Sequence, residues 1–330
     1  MLCRALLLCF LLTLSVGKTV AQEAAAPSSA EALKPLQFLI GAWNAEAQMP
    51  GAGKVTIERT YRLQLSGKFI EQKEVSRMPG GGQVTREMWL GLEPGKTSVS
   101  GWAFSSDGSF AILSSEKNSG DRVMLEGRLI GGAAPGVYRS TLQRDGSERF
   151  TQTIEVQDGG KWTPYAILDF TRLAAGVSAD AASAAPSDAV KPLDLMAGRW
   201  RTEGESEGAK FAVDYEILPR LGGHFLRSDY SVTTNGQTEL HAVSYLFQDA
   251  ETKSLRQIGF SADGSVGAMK ITPGSGAIVL EGEMATAARR VPMRITYSRP
   301  DADTLNTSTE MRRQDGTWRR AGTASLKRRP

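Results

Sequence analysis

The sequence predicts an all-β protein built as two tandem antiparallel up-and-down β-barrels of about 8–10 strands, each plugged by a short N-terminal helix. Three observations predict it: one unit is written twice, apolar residues recur with a period of two, and turn signals punctuate the chain at short intervals. Lys34-Pro35-Leu36-Gln37-Phe38-Leu39-Ile40-Gly41-Ala42-Trp43 returns as Lys191-Pro192-Leu193-Asp194-Leu195-Met196-Ala197-Gly198-Arg199-Trp200. Gly67-Lys68-Phe69-Ile70 answers to Gly223-His224-Phe225-Leu226, and Phe104 to Ser109 answers to Phe260 to Ser265. Leu125-Glu126-Gly127 returns as Leu280-Glu281-Gly282, and Trp162 as Trp318, all at offsets of 155 to 157 in one order. Chance similarity does not hold one spacing across a whole unit.

The elements follow in order. Residues 1–21 carry Arg4, an apolar run from Ala5 to about Val16, and Thr19-Val20-Ala21, the layout of a secretory signal peptide. The run is shorter than the roughly 20 residues a membrane span needs. Cys3 and Cys9 both fall inside it, so residues 22–330 contain no thiol for a disulfide, a nucleophile or a thiolate metal site. Residues 22–32, small and polar, read as a disordered lead-in. Residues 33–173 form the first barrel and 190–329 the second. The Ala- and Ser-rich stretch 174–189 between them reads as a flexible linker.

Within a unit, Val55-Ile57-Arg59-Tyr61-Leu63-Leu65 alternates with polar neighbours, as a half-buried strand does. Pro79-Gly80, Asp107-Gly108, Asp145-Gly146, Asn235-Gly236, Asp263-Gly264 and Asp315-Gly316 mark turns. Closing such a meander removes exposed edges, which favours a barrel over an open sheet. Pro35 and Pro192 suit a first helical turn, and Gly41 and Gly198 end the short segments. Trp43 and Trp200 then sit on the barrel floors, where Arg172 and Arg328, ending the last strands, can stack on the indoles.

A helical lead-in, Gly-X-Trp at the first strand and an all-β meander resemble the calycin superfamily. The longer string through Trp43 or Trp200, with Gly222 to Arg227 and Phe-Ser-X-Asp-Gly-Ser, is similar to its nitrobindin-like, lipocalin-like branch of secreted bacterial domains. The resemblance covers both units. It implies a barrel that holds a small hydrophobic or planar ligand, haem among them. Haem ligation of that type uses a late-strand histidine, which would fall near Tyr165-Ala166 and Ala321-Gly322. Neither copy has one, so no haem and no other cofactor is expected.

Composition narrows the chemistry. With 39 Lys+Arg against 36 Asp+Glu, and 37 against 36 once Arg4 and Lys18 leave with the leader, the chain lacks the basic excess of a nucleic-acid binder. Gly-X-Ser-X-Gly, Walker and zinc motifs are all missing, so no catalytic residue is assigned. The only histidines are His224 and His241. A two-residue turn at Asn235-Gly236 pairs Tyr230 with His241 and leaves the histidines roughly 20 Å apart on one face, too far to share a metal. That face also carries Leu226, Tyr230, Val243 and Tyr245, an apolar and aromatic wall with polar tips. His224, Leu226, Tyr230, His241, Val243 and Tyr245 are therefore the candidate ligand-binding residues. The matching positions of the first copy include Lys68, Gln72, Glu74 and Glu87, a more charged set.

The expectation is a periplasmic or secreted protein that binds a small hydrophobic or amphipathic molecule non-covalently. It has no nucleic-acid partner and no membrane span after leader removal, and it is a monomer whose copies pack as an internal pseudo-dimer. The alternatives are an envelope interaction module with filled barrels and, third, an enzyme of unknown reaction.

Overall fold

The computed structural model describes residues 28–49, 51, 53–132, 135–174, 185–206 and 209–330. The expected leader, with Cys3 and Cys9, and residues 175–184 of the expected linker lie outside the described residues. The first unit contains β1 (Gly41–Met49), β2 (Gly53–Gln64), β3 (Phe69–Arg77), β4 (Gln83–Leu92) and β5 (Val99–Ser105). It continues with β6 (Phe110–Ser119), β7 (Arg122–Ile130), β8 (Gly136–Arg144), β9 (Arg149–Asp158) and β10 (Lys161–Arg172). The second unit contains β11 (Gly198–Ser206), β12 (Ala209–Arg220), β13 (Phe225–Thr234), β14 (Gln237–Gln248) and β15 (Leu255–Ser261). It ends with β16 (Val266–Gly274), β17 (Ala277–Ala285), β18 (Arg290–Asp301), β19 (Thr304–Arg312) and β20 (Trp318–Arg328). Each unit is a closed ten-stranded antiparallel barrel in which consecutive strands pair and the last returns to the first. Among the described residues no helix is long and apolar enough to cross a membrane.

The plugs differ from the expectation of one helix per barrel. Among the described residues only the first barrel has an α-helix, α1 (Ser29–Leu33), which runs into a 3₁₀ segment at Lys34–Leu39. The helix takes up the end of the stretch 22–32, whose composition reads as disordered. A capping box starts it: the Ser28 hydroxyl accepts from the Glu31 amide at 3.3 Å, and the Glu31 carboxylate accepts from the Ser28 amide at 3.0 Å. In the repeat Ala185 stands where Ser28 would be, and the second barrel has only a three-residue 3₁₀ turn at Lys191–Leu193. Both segments nevertheless deliver apolar side chains to a floor: Leu33, Leu36 and Leu39 in one, Val190, Leu193 and Met196 in the other.

Trp43 and Trp200 are buried on these floors and donate their indole N–H to the carbonyls of Leu39 (2.6 Å) and Met196 (2.8 Å). Trp43 pairs across the closing seam with Arg172, and Trp200 with Arg328. The guanidiniums lie 4.2 and 4.4 Å over the indoles. Arg172 also donates to the carbonyls of Phe38 and Ile40, tying the seam to the end of the plug. Gly41 and Gly198 hold φ of +134° and +143°, and a Cβ at either would run into the stacked arginine. The Gly-X-Trp string is thus the clearance that lets the arginine lie flat.

The barrels share a third core. Phe69, Trp89, Trp102, Phe104 and Phe110 of the first pack with Phe225, Tyr245, Phe247 and Phe260 of the second, all buried. The contacts come in exchanged pairs. Trp89 stacks on Phe260 at 5.3 Å, and 156 positions on, Tyr245 stacks on Phe104 at 4.0 Å. Phe69 meets Phe260 edge-on at 5.4 Å, and Phe225 meets Phe104 at 5.5 Å. His224 lies against Gly108 as its counterpart Lys68 lies against Gly264. This is the pattern of a two-fold dimer interface, here within one chain.

At its centre Arg227 donates from Nη1 to Glu71 and Glu87, each at 2.8 Å, and from Nε to Asp229 at 2.8 Å. Arg227 and Glu71 occupy equivalent positions of the two copies, 156 residues apart. The Tyr245 hydroxyl donates to Glu87 and accepts from the Trp89 indole N–H. Burial would raise the Glu87 pKa, but the Arg227 charge outweighs it and holds the carboxyl below the usual range.

Arg328→Ala should lower the melting temperature by an amount corresponding to about 1–2 kcal/mol, read by calorimetry. An unchanged melting temperature removes the stacked seam as a stabilising device. Arg227→Met should destabilise by about 3–5 kcal/mol because it strands buried carboxylates. Adding Glu71→Gln and Glu87→Gln should recover part of that loss in denaturant unfolding.

Candidate functional site

Alternation along a barrel strand sends every second side chain inward, and the inner layers are the place to seek a ligand. In the second barrel the deepest layer is solid, formed by Trp200, Ile217, Leu226, Leu246, Ile271, Leu280, Leu305 and Leu326. Above it lies a cavity of about 130 Å³. Val213, Ala242, Met269, Met284, Met293 and Ile295 supply its apolar wall. Thr202, Tyr215, Ser228, Tyr230, Ser244, Gln257, Tyr297, Thr307 and Thr309 supply hydroxyls and an amide. No lining residue carries a charge. Tyr215 and Tyr230 meet at 4.8 Å with tilted rings and are half-buried, so the upper rim reaches solvent.

The same layer of the first barrel is crossed by charge. Arg59 is buried and binds Glu74 through Nε (2.9 Å) and Nη2 (2.6 Å). Its Nη1 donates to Gln152 (2.8 Å) and the Tyr61 hydroxyl (3.1 Å), and the guanidinium lies 4.3 Å over Phe170. Glu74 also accepts from Arg86 at 2.8 Å and Ser76 at 2.9 Å. Burial would raise the Glu74 pKa, but Arg59 and Arg86 hold it at about 2.

The repeat offset aligns the two interiors. Arg59, Glu74 and Arg86 correspond to Tyr215, Tyr230 and Ala242, and Gln72 and Met88 to Ser228 and Ser244. Ala103, Ala111 and Ala166 correspond to Gly259, Gly267 and Gly322, each one methyl smaller and each lining the cavity. Nearly every change shortens a side chain or removes a charge.

The six expected ligand residues do not converge. Tyr230 lines the cavity, and Leu226 packs in the solid layer beneath it. Val243 borders the cavity while packing with the inter-barrel aromatics, and Tyr245 belongs wholly to that interface. His224 sits at the interface beside Gly108. His241 is half-buried, with its ring edge-on to Tyr230 at 6.3 Å and its Nε2 3.8 Å from Glu239.

The cause is one residue. Thr234 pairs with Gln237 as the turn dictates, but Tyr230 pairs with Ala242 and Ser231 with Leu240. His241 is the extra residue of a β-bulge, so beyond it β14 presents its other face. Ala242, Ser244 and Leu246 turn inward, and Val243, Tyr245 and Phe247 turn toward the other barrel. The late-strand position near Ala321-Gly322 does reach the cavity, through Gly322. Its counterpart Ala166 belongs to the first core, and the neighbouring Tyr165 packs against that core. Among the described residues no three His, Asp or Glu side chains gather as a metal site.

No family model matches the sequence, and a comparison with curated proteins finds no match. Distantly similar solved structures include two with the following likeness. One is a protein of unknown function of the DUF3598 family from Nostoc punctiforme, 12% identical, covering 90% of this chain and 99% of its own, with a TM-score of 0.25. The other is the vaccine antigen transferrin-binding protein B from Haemophilus parasuis, a double mutant. It is 8% identical, covers 79% of this chain and 66% of its own, and has a TM-score of 0.17.

The Glu74 plug sets a pH dependence. Its carboxyl is held at about 2 when folded against about 4.3 unfolded, so its contribution is complete above the unfolded value and is lost as pH falls toward 2. Melting temperature should decline from about pH 5 to pH 2, and Glu74→Gln should flatten that decline. An equal acid slope in the variant would contradict the assignment.

Proposed function

We propose that this chain is an exported calycin-type protein, lipocalin- or nitrobindin-like, whose second barrel binds a small apolar or amphipathic molecule non-covalently. The first barrel is its filled structural mate. The observation that carries this reading is the contrast between the two interiors at equivalent positions. A barrel that needs only stability fills its lumen, as Arg59, Glu74 and Gln152 do in the first copy. The second copy leaves a void of about 130 Å³ above a solid floor. Voids cost stability, roughly 24 cal/mol per Å³ where large side chains are truncated. A ligand that restores the missing contacts offsets that loss.

The wall suits such a ligand. Methionines are flexible and polarisable and adapt to irregular shapes. A few hydroxyls and one amide orient the ligand among apolar surfaces. A cavity of this size admits a benzene-sized ring, and the half-buried rim lets a longer molecule extend toward solvent. Export to a periplasm or medium is supported by the leader-like residues 1–21 and by the lack of cysteine in residues 22–330.

The test is Ser244→Met, which places the first barrel's Met88 side chain in the second cavity. Lipophilic dye displacement and native mass spectrometry should show one bound molecule per wild-type chain. The variant should lose at least about tenfold in affinity, with an unchanged or raised melting temperature. Equal uptake by both proteins, or uptake by neither, would defeat the proposal.

A further inference from the structure

We infer that the second barrel selects uncharged planar molecules against their anionic counterparts, with the Tyr297 hydroxyl as the polar anchor. This inference rests on the binding role proposed for the cavity and names its ligand class. The nearest charge-bearing positions of the first barrel's lumen, Arg59, Glu74 and Arg86, become Tyr215, Tyr230 and Ala242 in the second. With them goes the counter-charge that a buried carboxylate or sulfonate would need, and only neutral donors remain on the wall. An anion placed among Met269, Met284, Met293 and the hydroxyls keeps no counter-charge, and the desolvation of its charge stays uncompensated.

Tyr297 gives the site its polar direction. The residue is 7% exposed and lines the cavity, and its hydroxyl has no hydrogen-bond partner among the described residues. Burial alone pushes its pKa up to about 12, with no charge or hydrogen bond contributing. Its counterpart in the first barrel is Leu142, part of the apolar core, so the fold does not require a hydroxyl at this place. Buried polar groups in native proteins are nearly always satisfied, and this one is left to whatever fills the cavity. At neutral pH it is a protonated phenol, able to donate to a carbonyl or ether oxygen or to accept from an amine N–H. The tilted Tyr215–Tyr230 pair at the rim and the methionine sulfurs on the wall suit a flat aromatic face.

Two fluorescent probes isolate the charge. N-phenyl-1-naphthylamine is neutral, and 8-anilinonaphthalene-1-sulfonate is the same ring skeleton with a sulfonate added. Titrated into the full chain, the neutral probe should bind one per molecule, at least about tenfold tighter than the sulfonate. Tyr297→Phe should weaken the neutral probe severalfold and leave the melting temperature unchanged or higher, since the hydroxyl makes no hydrogen bond to the protein among the described residues. Ser244→Met should abolish the signal, which separates the cavity from surface adsorption. Equal or tighter binding of the sulfonate, sensitive to Ser244→Met, overturns charge selection while the cavity stands. Full affinity in Tyr297→Phe overturns the anchor. If neither probe binds, or Ser244→Met changes nothing, the binding role fails and this inference with it.

Discussion

A guanidinium held between two carboxylates in an aromatic core, Arg227 against Glu71 and Glu87, is the contact on which the arrangement of the two barrels depends. Its members occupy strands whose opposite faces build the barrel interiors. Glu71 lies between Ile70 and Gln72, and Arg227 between Leu226 and Ser228. A strand with both faces buried has no freedom of register, because a slip of one residue would exchange its two cores. The ion pairs add direction to packing that is otherwise non-directional. Apolar surfaces alone would tolerate sliding, whereas one arginine reaching two acids from the other copy fixes a single alignment. The interface also covers the outer face of β13–β15, so a ligand reaches the second barrel through its rim rather than through that wall.

Duplication then lets the two interiors diverge. The floors stay alike, since Trp43 with Arg172 and Trp200 with Arg328 close the seams in one way. The layer above does not. In the first barrel a network from Arg86 through Glu74 and Arg59 to Gln152 and Ser140 spans the lumen with satisfied hydrogen bonds. In the second, Ala242, Tyr230, Tyr215, Thr307 and Ile295 stand at those positions and line the cavity. The copy with the cavity packs against a copy whose lumen is crossed by the Arg59 network, through an interface of nine buried aromatic side chains. The cost of a void in one half is thereby carried by a chain with three cores.

Much of this is legible in the sequence. The repeat, the period of two and the Gly-X-Trp strings led to two closed meanders, and the distant arginines led to the stacked seams. The first plug holds the expected helix and the second does not, because a three-residue turn and a capped helix carry the same Lys-Pro-Leu signature, and only Ser28 with Glu31 tells them apart. The site was half legible. A more apolar face in the second copy points to the barrel that contains the cavity, but Asn235-Gly236 sets the register of the hairpin only as far as the bulge at His241, which reverses it. A signal was present: the first copy pairs Arg77 with Gln83 across a longer turn, and the repeat offset demands Phe225 opposite Phe247, which a two-residue turn reaches only with one extra residue. The Arg227 cluster was not legible, because it needs the two-fold packing of the copies, which no local pattern encodes.

Methionine methyl groups report on the cavity from within. Met269, Met284 and Met293 line it, while Met88 lies in the first barrel's core and Met196 on the second barrel's floor. With ¹³C-methyl methionine labelling, titration of a neutral aromatic probe into the full chain should shift the first three resonances and leave Met88 in place. Shifts confined to Met88, or none at saturating probe, would contradict a hollow second barrel beside a filled first one.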